Sequence, residues 1–287
     1  MSTGLDYPRA MAGPLEQDVP KGPLAVRWLG LELGTVRAGA VTRANVELEN
    51  AGTAAWRSVG EAQGVRLGYH WLDELGNPIV WDGRRGSFDE PVPPGGRARC
   101  SLDVLGPIPP GRYRLAVDVV DEGRIWLSEL GSPMLERDYQ VGPRIPRALA
   151  ARGGDPEALA AQDEPLVTED EAAAVAYLAD GVAPAPDWSR RVLDAHQEGY
   201  GVVAGSVEAP AGLLRRRPSE LEPYAPGTGR VPGFGHPLVC PSAVQGVELE
   251  WVEPVAGLPA ARAQQPLEPW LFDGRITVRL RSGRPRG

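Results

Sequence analysis

Alternation of apolar and polar residues runs through the first half of the chain and predicts antiparallel β-strands. Val65, Leu67, Tyr69 and Trp71 occupy every second position, so their side chains point to one face of a strand. Similar short segments follow one another between residues 24 and 142 and are separated by turns that contain Gly or Pro. We find about seven to nine such segments, which matches the strand number and spacing of a β-sandwich. The sequence therefore predicts a mainly β protein.

Composition divides the chain into four predicted regions. Residues 1–23 are polar and broken by prolines, which is typical of a flexible leader. Residues 24–142 form the predicted sandwich. Residues 143–165 are rich in Ala, Gly and Pro, and we interpret them as a linker. Residues 166–287 show less regular alternation and predict a small α+β or irregular C-terminal domain of unknown family.

The C-terminal region contains three segments whose pattern predicts a definite element. Thr168 and Glu171 have the spacing of a capping box, which predicts a helix that runs to Leu178. Asp187 precedes the amphipathic segment Trp188–Glu198 and predicts a second helix. Apolar and basic residues alternate over 275–281, which predicts a strand.

Charge and cysteine content narrow the functional classes. The net charge of −8 argues against a nucleic-acid-binding protein, because neutralising phosphates requires a basic surface. No apolar segment approaches the length of a membrane span, and we expect a soluble, cytoplasmic protein. Cys100 and Cys240 lie in different predicted domains, so we expect no disulfide, and the strand position of Cys100 predicts a buried thiol.

Spaced motifs carry a resemblance to a known family. They are the N-x-G-x-x-x-W pattern of Asn50, Gly52 and Trp56, the pair Pro94-Gly95, and the run from Pro109 to Leu115. Through them, the segment of about 26–141 resembles the immunoglobulin-like domain related to the four-tryptophan module of selective autophagy receptors. The resemblance implies an immunoglobulin-like antiparallel β-sandwich.

A second set of motifs is similar to a bacterial variant of this domain. The runs are G-Y-H-W-L-D at 68–73, W-D-G-R at 81–84, and D-V-V-D-E-G at 118–123 followed by Trp126. This variant accompanies glycosyltransferase and methyltransferase regions. The resemblance covers about two-fifths of the chain and implies a role in a bacterial glycan or cell-envelope pathway.

Aromatic residues in these motifs fall into two groups. Trp56, Tyr69 and Trp71 are expected in the sandwich core, where large aromatic side chains usually pack. The candidate ligand-binding residues are aromatic, acidic and basic side chains near strand ends, together with one outward-facing histidine. They are Trp81, Asp82, Arg84, Trp126 and His70, and we expect His70 to be half-exposed.

Catalytic chemistry has weaker support in the sequence. The candidates are a histidine and cysteine four residues apart, two residues of the predicted helix, and a group of carboxylates: His236, Cys240, Asp194, His196, Glu208, Glu220 and Glu222. A Cys/His site needs a base in fixed geometry, whereas His236 and Cys240 each precede a proline in a broken loop. No phosphate-binding loop, dinucleotide motif or metal-ligand spacing occurs. We therefore predict no catalytic residue, no metal site and no cofactor.

The sequence leaves three functions open. Our leading prediction is a non-enzymatic accessory or recognition protein with a glycan or protein partner, working in a bacterial glycan or cell-envelope pathway. One alternative is a protein–protein scaffold that assembles through the sandwich and the C-terminal arm into a homo-oligomer. The other alternative is an enzyme related to glycosyltransferases.

Overall fold

The computed structural model describes residues 19–60, 63–178, 182–208, 242–244, 249–255, 258–263 and 270–280. The chain divides into two compact units. Unit 1 comprises the residues up to 36, 41–105 and 112–140, and unit 2 comprises 37–40, 106–111 and 141 onward. Several predicted positions lie outside the described residues, namely most of the leader, Glu220, Glu222, His236, Cys240 and the side chain of Glu208.

Unit 1 is built from nine described strands. In chain order they are β1 (Val26–Leu33), β2 (Val41–Asn50), β3 (Ser58–Val59), β4 (Gln63–Leu72), β5 (Pro78–Val80), β6 (Arg97–Leu105), β7 (Gly111–Asp121), β8 (Ile125–Trp126) and β9 (Leu135–Val141). A single 3₁₀ turn, Leu127–Leu130, follows β8.

The strands of unit 1 form two sheets. One has the order β1-β2-β6, and the other has the order β3-β4-β7-β8, with β5 paired to β4 and β9 paired to β7. The β1–β2, β2–β6 and β4–β7 pairs are antiparallel. Each sheet combines strands from the early and the late part of unit 1, as in the immunoglobulin arrangement. The predicted immunoglobulin-like antiparallel β-sandwich is confirmed.

Alternating residues of both sheets supply the core of unit 1. Tyr69 and Trp71 of β4 are at most 2% exposed, and Trp56 is fully buried, as predicted from their positions. The Tyr69 hydroxyl accepts a hydrogen bond from the Leu105 amide at 2.9 Å, which satisfies its polar group inside the core. Cys100 is also buried, and burial raises the pKa of its thiol to about 11. This thiol is protonated at neutral pH and packs as a small core side chain.

Unit 2 combines helices with strands. Its strands are β10 (Leu149–Arg152), β11 (Ala174–Tyr177), β12 (Val182–Pro184), β13 (Val202–Glu208), β14 (Ser242–Val244), β15 (Leu249–Val255), β16 (Leu258–Ala263) and β17 (Trp270–Leu280). Its helices are α1 (Pro156–Ala160) and α2 (Trp188–Glu198), with a 3₁₀ turn at Glu169–Glu171.

A six-stranded mixed sheet with the order β10-β11-β14-β13-β17-β12 organises unit 2. The β10–β11 and β13–β17 pairs are parallel, and β15 pairs with β16 in a separate two-stranded sheet. Helix α2 buries Trp188, Val192 and Leu193 in a core that includes Ile276 and Val278 of β17. The predicted α+β character, the helix Trp188–Glu198 and the C-terminal strand are confirmed.

Two segments of unit 2 differ from the sequence prediction. The helix predicted from Thr168 to Leu178 is wrong, because residues 174–177 form β11 between β10 and β14. The Thr168 hydroxyl bonds the Glu171 carboxylate at 2.9 Å but caps no backbone amide. Pairing with two neighbouring strands outweighs the local capping signal. The residues interpreted as a linker, 143–165, contain β10 and α1 and bury Leu149 in the core.

Candidate functional site

Three predicted binding residues meet in unit 1 on the six-stranded sheet. The His70 ring of β4 stacks on the Trp81 ring, with centroids 4.1 Å apart and planes inclined by 23°. The Trp126 ring of β8 meets His70 edge-on, with centroids 4.4 Å apart and planes inclined by 64°. Both geometries are favourable for aromatic pairs. We call His70, Trp81 and Trp126 the aromatic stack.

Gly68 explains how Trp126 reaches this position. It lies two residues before His70 in β4, so the two residues share a face of the strand. A Cβ atom at Gly68 would lie 2.8 Å from the Trp126 ring, which is too close for real atoms. The absent side chain therefore provides the space in which the indole packs.

His70 is fully buried, so the prediction of a half-exposed histidine is wrong. Its position in the strand does face away from the sandwich core, but the rings of Trp81 and Trp126 cover it. Nδ1 donates a hydrogen bond to the Trp81 carbonyl oxygen, since a carbonyl can only accept. This bond ties the ring to the backbone that carries Trp81. The other nitrogen, Nε2, has no hydrogen-bond partner among the described residues.

Asp118 is a buried carboxylate that sequence reasoning did not select as a site residue. It lies on β7, and its Oδ2 is 4.0 Å from His70 Nε2. Its Oδ1 accepts from the Val119 amide at 2.7 Å, and Oδ2 accepts from the Ser128 amide at 3.4 Å. The motif D-V-V-D-E-G begins at Asp118, and this motif is the sequence signal that could have identified the residue. Asp118 thus places a buried carboxyl group beneath the stack, beside the His70 ring.

Trp81 is the exposed member of the stack. Its side chain belongs to a residue that is 45% accessible, whereas Trp126 is 9% accessible. Asp82 is exposed beside it and accepts a hydrogen bond from Arg85. Arg85 also pairs with Glu122 at 2.5 Å and lies 4.8 Å from the Trp126 ring centroid. An oriented indole is thus bordered by charged hydrogen-bonding groups.

Arg84, another predicted binding residue, contacts Tyr69 of β4. Its backbone amide donates a hydrogen bond to the Tyr69 hydroxyl, and its positive charge favours the ionised form of that hydroxyl. Burial nevertheless raises the pKa of Tyr69. The guanidinium beside the stack belongs to Arg85, the next residue. Gly83 permits this path of the chain, because a Cβ there would lie 2.6 Å from the Tyr69 ring.

A separate cleft of about 440 Å³ lies in unit 1. We call it the tyrosine cleft and define it by its lining residues Asp73, Glu74, Arg112, Tyr113, Arg114, Asp138, Tyr139 and Gln140. Burial raises the pKa of both tyrosines, so their phenols are neutral at neutral pH. The cleft has no signature in the sequence, because its residues come from a turn and two strands that are distant along the chain.

The candidate catalytic residues of helix α2 do not form a site. His196 is buried, its Nδ1 bonds the Tyr200 carbonyl at 2.9 Å, and desolvation lowers its pKa to about 4. Asp194 is two residues away and pairs instead with Arg147 at 2.7 Å. Both contacts stabilise the fold, and neither brings His196 and Asp194 together as a catalytic pair. Across the part of the chain that the structure describes, there is no cluster of His, Cys, Asp or Glu suited to a metal ion.

The described helices include none that is long and apolar enough to cross a membrane.

Comparisons with known proteins return distant structural likenesses. No protein-family model matches the chain, and no curated protein matches it. A Pseudomonas fluorescens alkylpurine DNA glycosylase, bound to DNA with an abasic-site analogue, is 12% identical over 40% of this chain and 30% of its own, with a TM-score of 0.25. A Pyrococcus furiosus CARDB domain in complex with di-metal ions is 17% identical over 48% of this chain and 99% of its own, with a TM-score of 0.25.

A human PapD-like domain is 18% identical over 49% of this chain and 93% of its own, with a TM-score of 0.20. The immunoglobulin-like description of unit 1 rests on its own strand order.

Proposed function

We propose that the protein is a non-enzymatic recognition module that binds carbohydrate through Trp81. The observation that carries this proposal is the fixed, exposed indole of Trp81, which stacks on buried His70 and is bordered by Asp82 and Arg85. An aromatic face packs against the apolar face of a sugar ring, while charged neighbours bond its hydroxyl groups. Because His70 already holds the ring, little conformational entropy is lost on binding.

The setting we propose is a bacterial glycan or cell-envelope pathway. Support comes from the sequence resemblance, whose three motifs converge on one structure. Gly68 and His70 come from the first motif, Trp81 from the second, and Asp118 from the third. The motif residues therefore build the surface on which we place the ligand. Binding is expected to be weak, with a dissociation constant on the order of 1 mM, because one ring offers few contacts.

A fluorescence titration tests this proposal. Maltotetraose, cellotetraose, chitotetraose and a nucleotide sugar are added to the full chain, and tryptophan emission and product formation are followed together. The proposal is supported if wild-type protein binds a sugar saturably without turnover and if Trp81→Ala abolishes this binding. The matched control is Leu75→Ala, which removes an 88% exposed apolar side chain from the same hairpin. Turnover of the nucleotide sugar contradicts the proposal and favours a glycosyltransferase-related enzyme.

A protein–protein scaffold is the second candidate function. Leu75, Ile79 and Trp81 are exposed apolar residues of one short segment that includes the strand β5. Apolar groups so close together are typical of protein interaction surfaces. Sedimentation at several protein concentrations distinguishes the two functions. The scaffold is favoured if the mass of wild-type protein rises above that of the monomer with concentration and if Ile79→Ser restores the monomer. The scaffold also requires that wild-type protein binds none of the sugars.

A further inference from the structure

Two hydrogen-bond acceptors face the two ring nitrogens of His70. Nδ1 contacts the backbone carbonyl oxygen of Trp81, and Nε2 lies 4.0 Å from Oδ2 of Asp118. A carbonyl oxygen and an ionised carboxylate accept hydrogen bonds and donate none. Neutral imidazole has one N–H donor, whereas protonated imidazole has two. The protonated ring is therefore the form of His70 that suits both neighbours.

Asp118 is held in place by the backbone around it. Its Oδ1 accepts from the Val119 amide at 2.7 Å, and its Oδ2 accepts from the Ser128 amide at 3.4 Å. The side chains of Asp118 and His70 are both fully buried. A buried carboxylate needs a positive charge nearby. Within the described residues, His70 is the only basic side chain that lies within 4.0 Å of this carboxylate.

The indole of Trp81 also favours a positive charge on His70. The two rings are stacked, with centroids 4.1 Å apart and planes inclined by 23°. The face of an indole attracts a cation that lies within about 6 Å of the ring centroid. A protonated His70 therefore holds the Trp81 ring more firmly than a neutral one.

Other charged side chains lie near the same face of the sheet, and most have counter-ions of their own. Arg85 pairs with Asp82 and Glu122, and Arg114 of β7 pairs with Glu136 and Asp138. Arg84 acts on Tyr69, which points to the opposite face of β4. Arg66 is buried and opposes a charge on His70. It lies four residues away, about 13 Å along the strand, which is much farther than Asp118.

From these contacts we infer that Asp118 is a positioning residue for Trp81 and that it acts by holding His70 in the protonated form. This role rests on the proposed carbohydrate function and adds regulation by pH to it. As the pH rises, His70 loses the proton on Nε2, and the lone pair left there faces the Asp118 carboxylate. The attraction between the charged ring and the Trp81 indole is lost at the same time. Sugar binding is therefore strongest at low pH and weakens through the range in which histidines titrate, about pH 5 to 8.

An NMR spectrum of the imidazole nitrogens tests the charge of His70 without any ligand. A protonated ring shows two N–H nitrogens, whereas a neutral ring shows one N–H nitrogen and one bare nitrogen. His196 is an internal reference, because its Nδ1 also contacts a carbonyl, that of Tyr200. Desolvation, together with the smaller effect of Arg144, lowers the pKa of His196 to about 4.

We expect His70 to be protonated and His196 to be neutral in the full chain at pH 6. Both ring signals are assigned through the backbone signals of wild-type protein, so this measurement needs no variant that has to fold. A neutral His70 at pH 6 overturns the inference and leaves the proposed function standing.

Isothermal titration at pH 6 and pH 8.5 tests the effect on binding. Maltotetraose, cellotetraose and chitotetraose are added to wild-type protein, Asp118→Asn and Asp103→Asn. Asp118→Asn removes the charge and keeps an oxygen for the Val119 amide, and Asp103→Asn is the control, which removes a carboxylate that is 42% exposed on the other sheet. We expect wild type and the control to bind about fivefold more weakly at pH 8.5 than at pH 6. We expect Asp118→Asn to bind weakly at both pH values.

The remaining outcomes separate this role from the proposed function. Equal binding by wild type at both pH values, or the wild-type pH dependence in folded Asp118→Asn, overturns the role of Asp118 and leaves sugar binding at Trp81 standing. If Asp118→Asn does not fold, His70→Gln takes its place and is expected to bind independently of pH over this range. If wild-type protein binds none of the three sugars at either pH, the proposed function fails, and the role of Asp118 in binding fails with it.

Discussion

Trp71 within β4 and Trp81 just after β5 show how one residue type occupies two environments. Trp71 is fully buried and supports two tyrosines, so Trp71→Ala is expected to cost about 3–5 kcal/mol of unfolding free energy, the usual loss for a large core aromatic. Trp81 is 45% accessible, and Trp81→Ala is expected to cost about 1–2 kcal/mol. Denaturant titrations of both variants measure the difference. Equal losses would contradict the assignment of Trp71 to the core and Trp81 to the surface.

His196 makes the stability of unit 2 depend on pH. Desolvation lowers its pKa to about 4 in the folded chain, compared with about 6.5 when unfolded. The unfolded chain therefore binds the proton more readily between these values, so stability present above pH 6.5 is lost as the pH falls toward 4. Between pH 7.5 and pH 5 the expected loss is about 2 kcal/mol.

Unfolding measurements at these two pH values, on wild type and His196→Gln, isolate this contribution. The variant removes the titrating ring. Between pH 7.5 and pH 5, its free energy of unfolding should therefore change by about 2 kcal/mol less than that of wild type. Identical pH dependence of the two proteins would show that His196 does not carry the effect.

At the scale of single residues, the sequence predicted position better than environment. The parity of His70 correctly excluded it from the sandwich core, but the covering rings of Trp81 and Trp126 come from segments that meet only in the fold. For the same reason the sequence did not predict the guanidinium of Arg85 over the Trp126 ring. A pattern along one strand contains no information about rings that arrive from others.

At the scale of elements, the contact between β4 and β8 depends on a missing side chain. Gly68→Ala would place its Cβ atom 2.8 Å from the Trp126 ring, so the indole must shift, at an expected cost of about 1–3 kcal/mol. Gly30→Ala in β1 is the matched control, because its nearest neighbour is 3.9 Å away. We expect the control to change stability by less than about 0.5 kcal/mol. Thermal unfolding of both variants checks this, and a similar loss in each would contradict the packing argument.

The long strands of unit 1, such as β2, β4, β6 and β7, were predictable because each carries its own alternation and is bounded by turns. Helix α2 was predictable from its amphipathic pattern, but the predicted cap is wrong, because the Asp187 side chain pairs with Arg191 and bonds no backbone amide at the start of the helix. Strand β11 was not predictable, because pairing with β10 and β14 determines the extended conformation of its four residues. A local capping motif contains no information about these pairings. The tyrosine cleft was missed for a related reason, since it joins a turn to two distant strands.

At the scale of the whole molecule, unit 1 contains all pairings of its two sheets within residues 26–141. We predict that residues 24–142 expressed alone fold cooperatively into a β-rich domain, because both inner faces of the sandwich are present. Circular dichroism and a denaturant titration check the secondary structure and the cooperativity. A fragment that stays unfolded unless residues 150–287 are added would contradict this prediction.

Trp81 is the residue through which we propose that this non-enzymatic protein binds carbohydrate. Isothermal titration of the full chain with maltotetraose, cellotetraose and chitotetraose tests it most directly, using wild type, Trp81→Ala and Leu75→Ala at equal protein concentration. We expect weak saturable binding of at least one oligosaccharide to wild type and to Leu75→Ala. In Trp81→Ala we expect the heat of binding at the aromatic stack to be lost. Unchanged binding in folded Trp81→Ala, or no binding by wild type to any of the three, would contradict it.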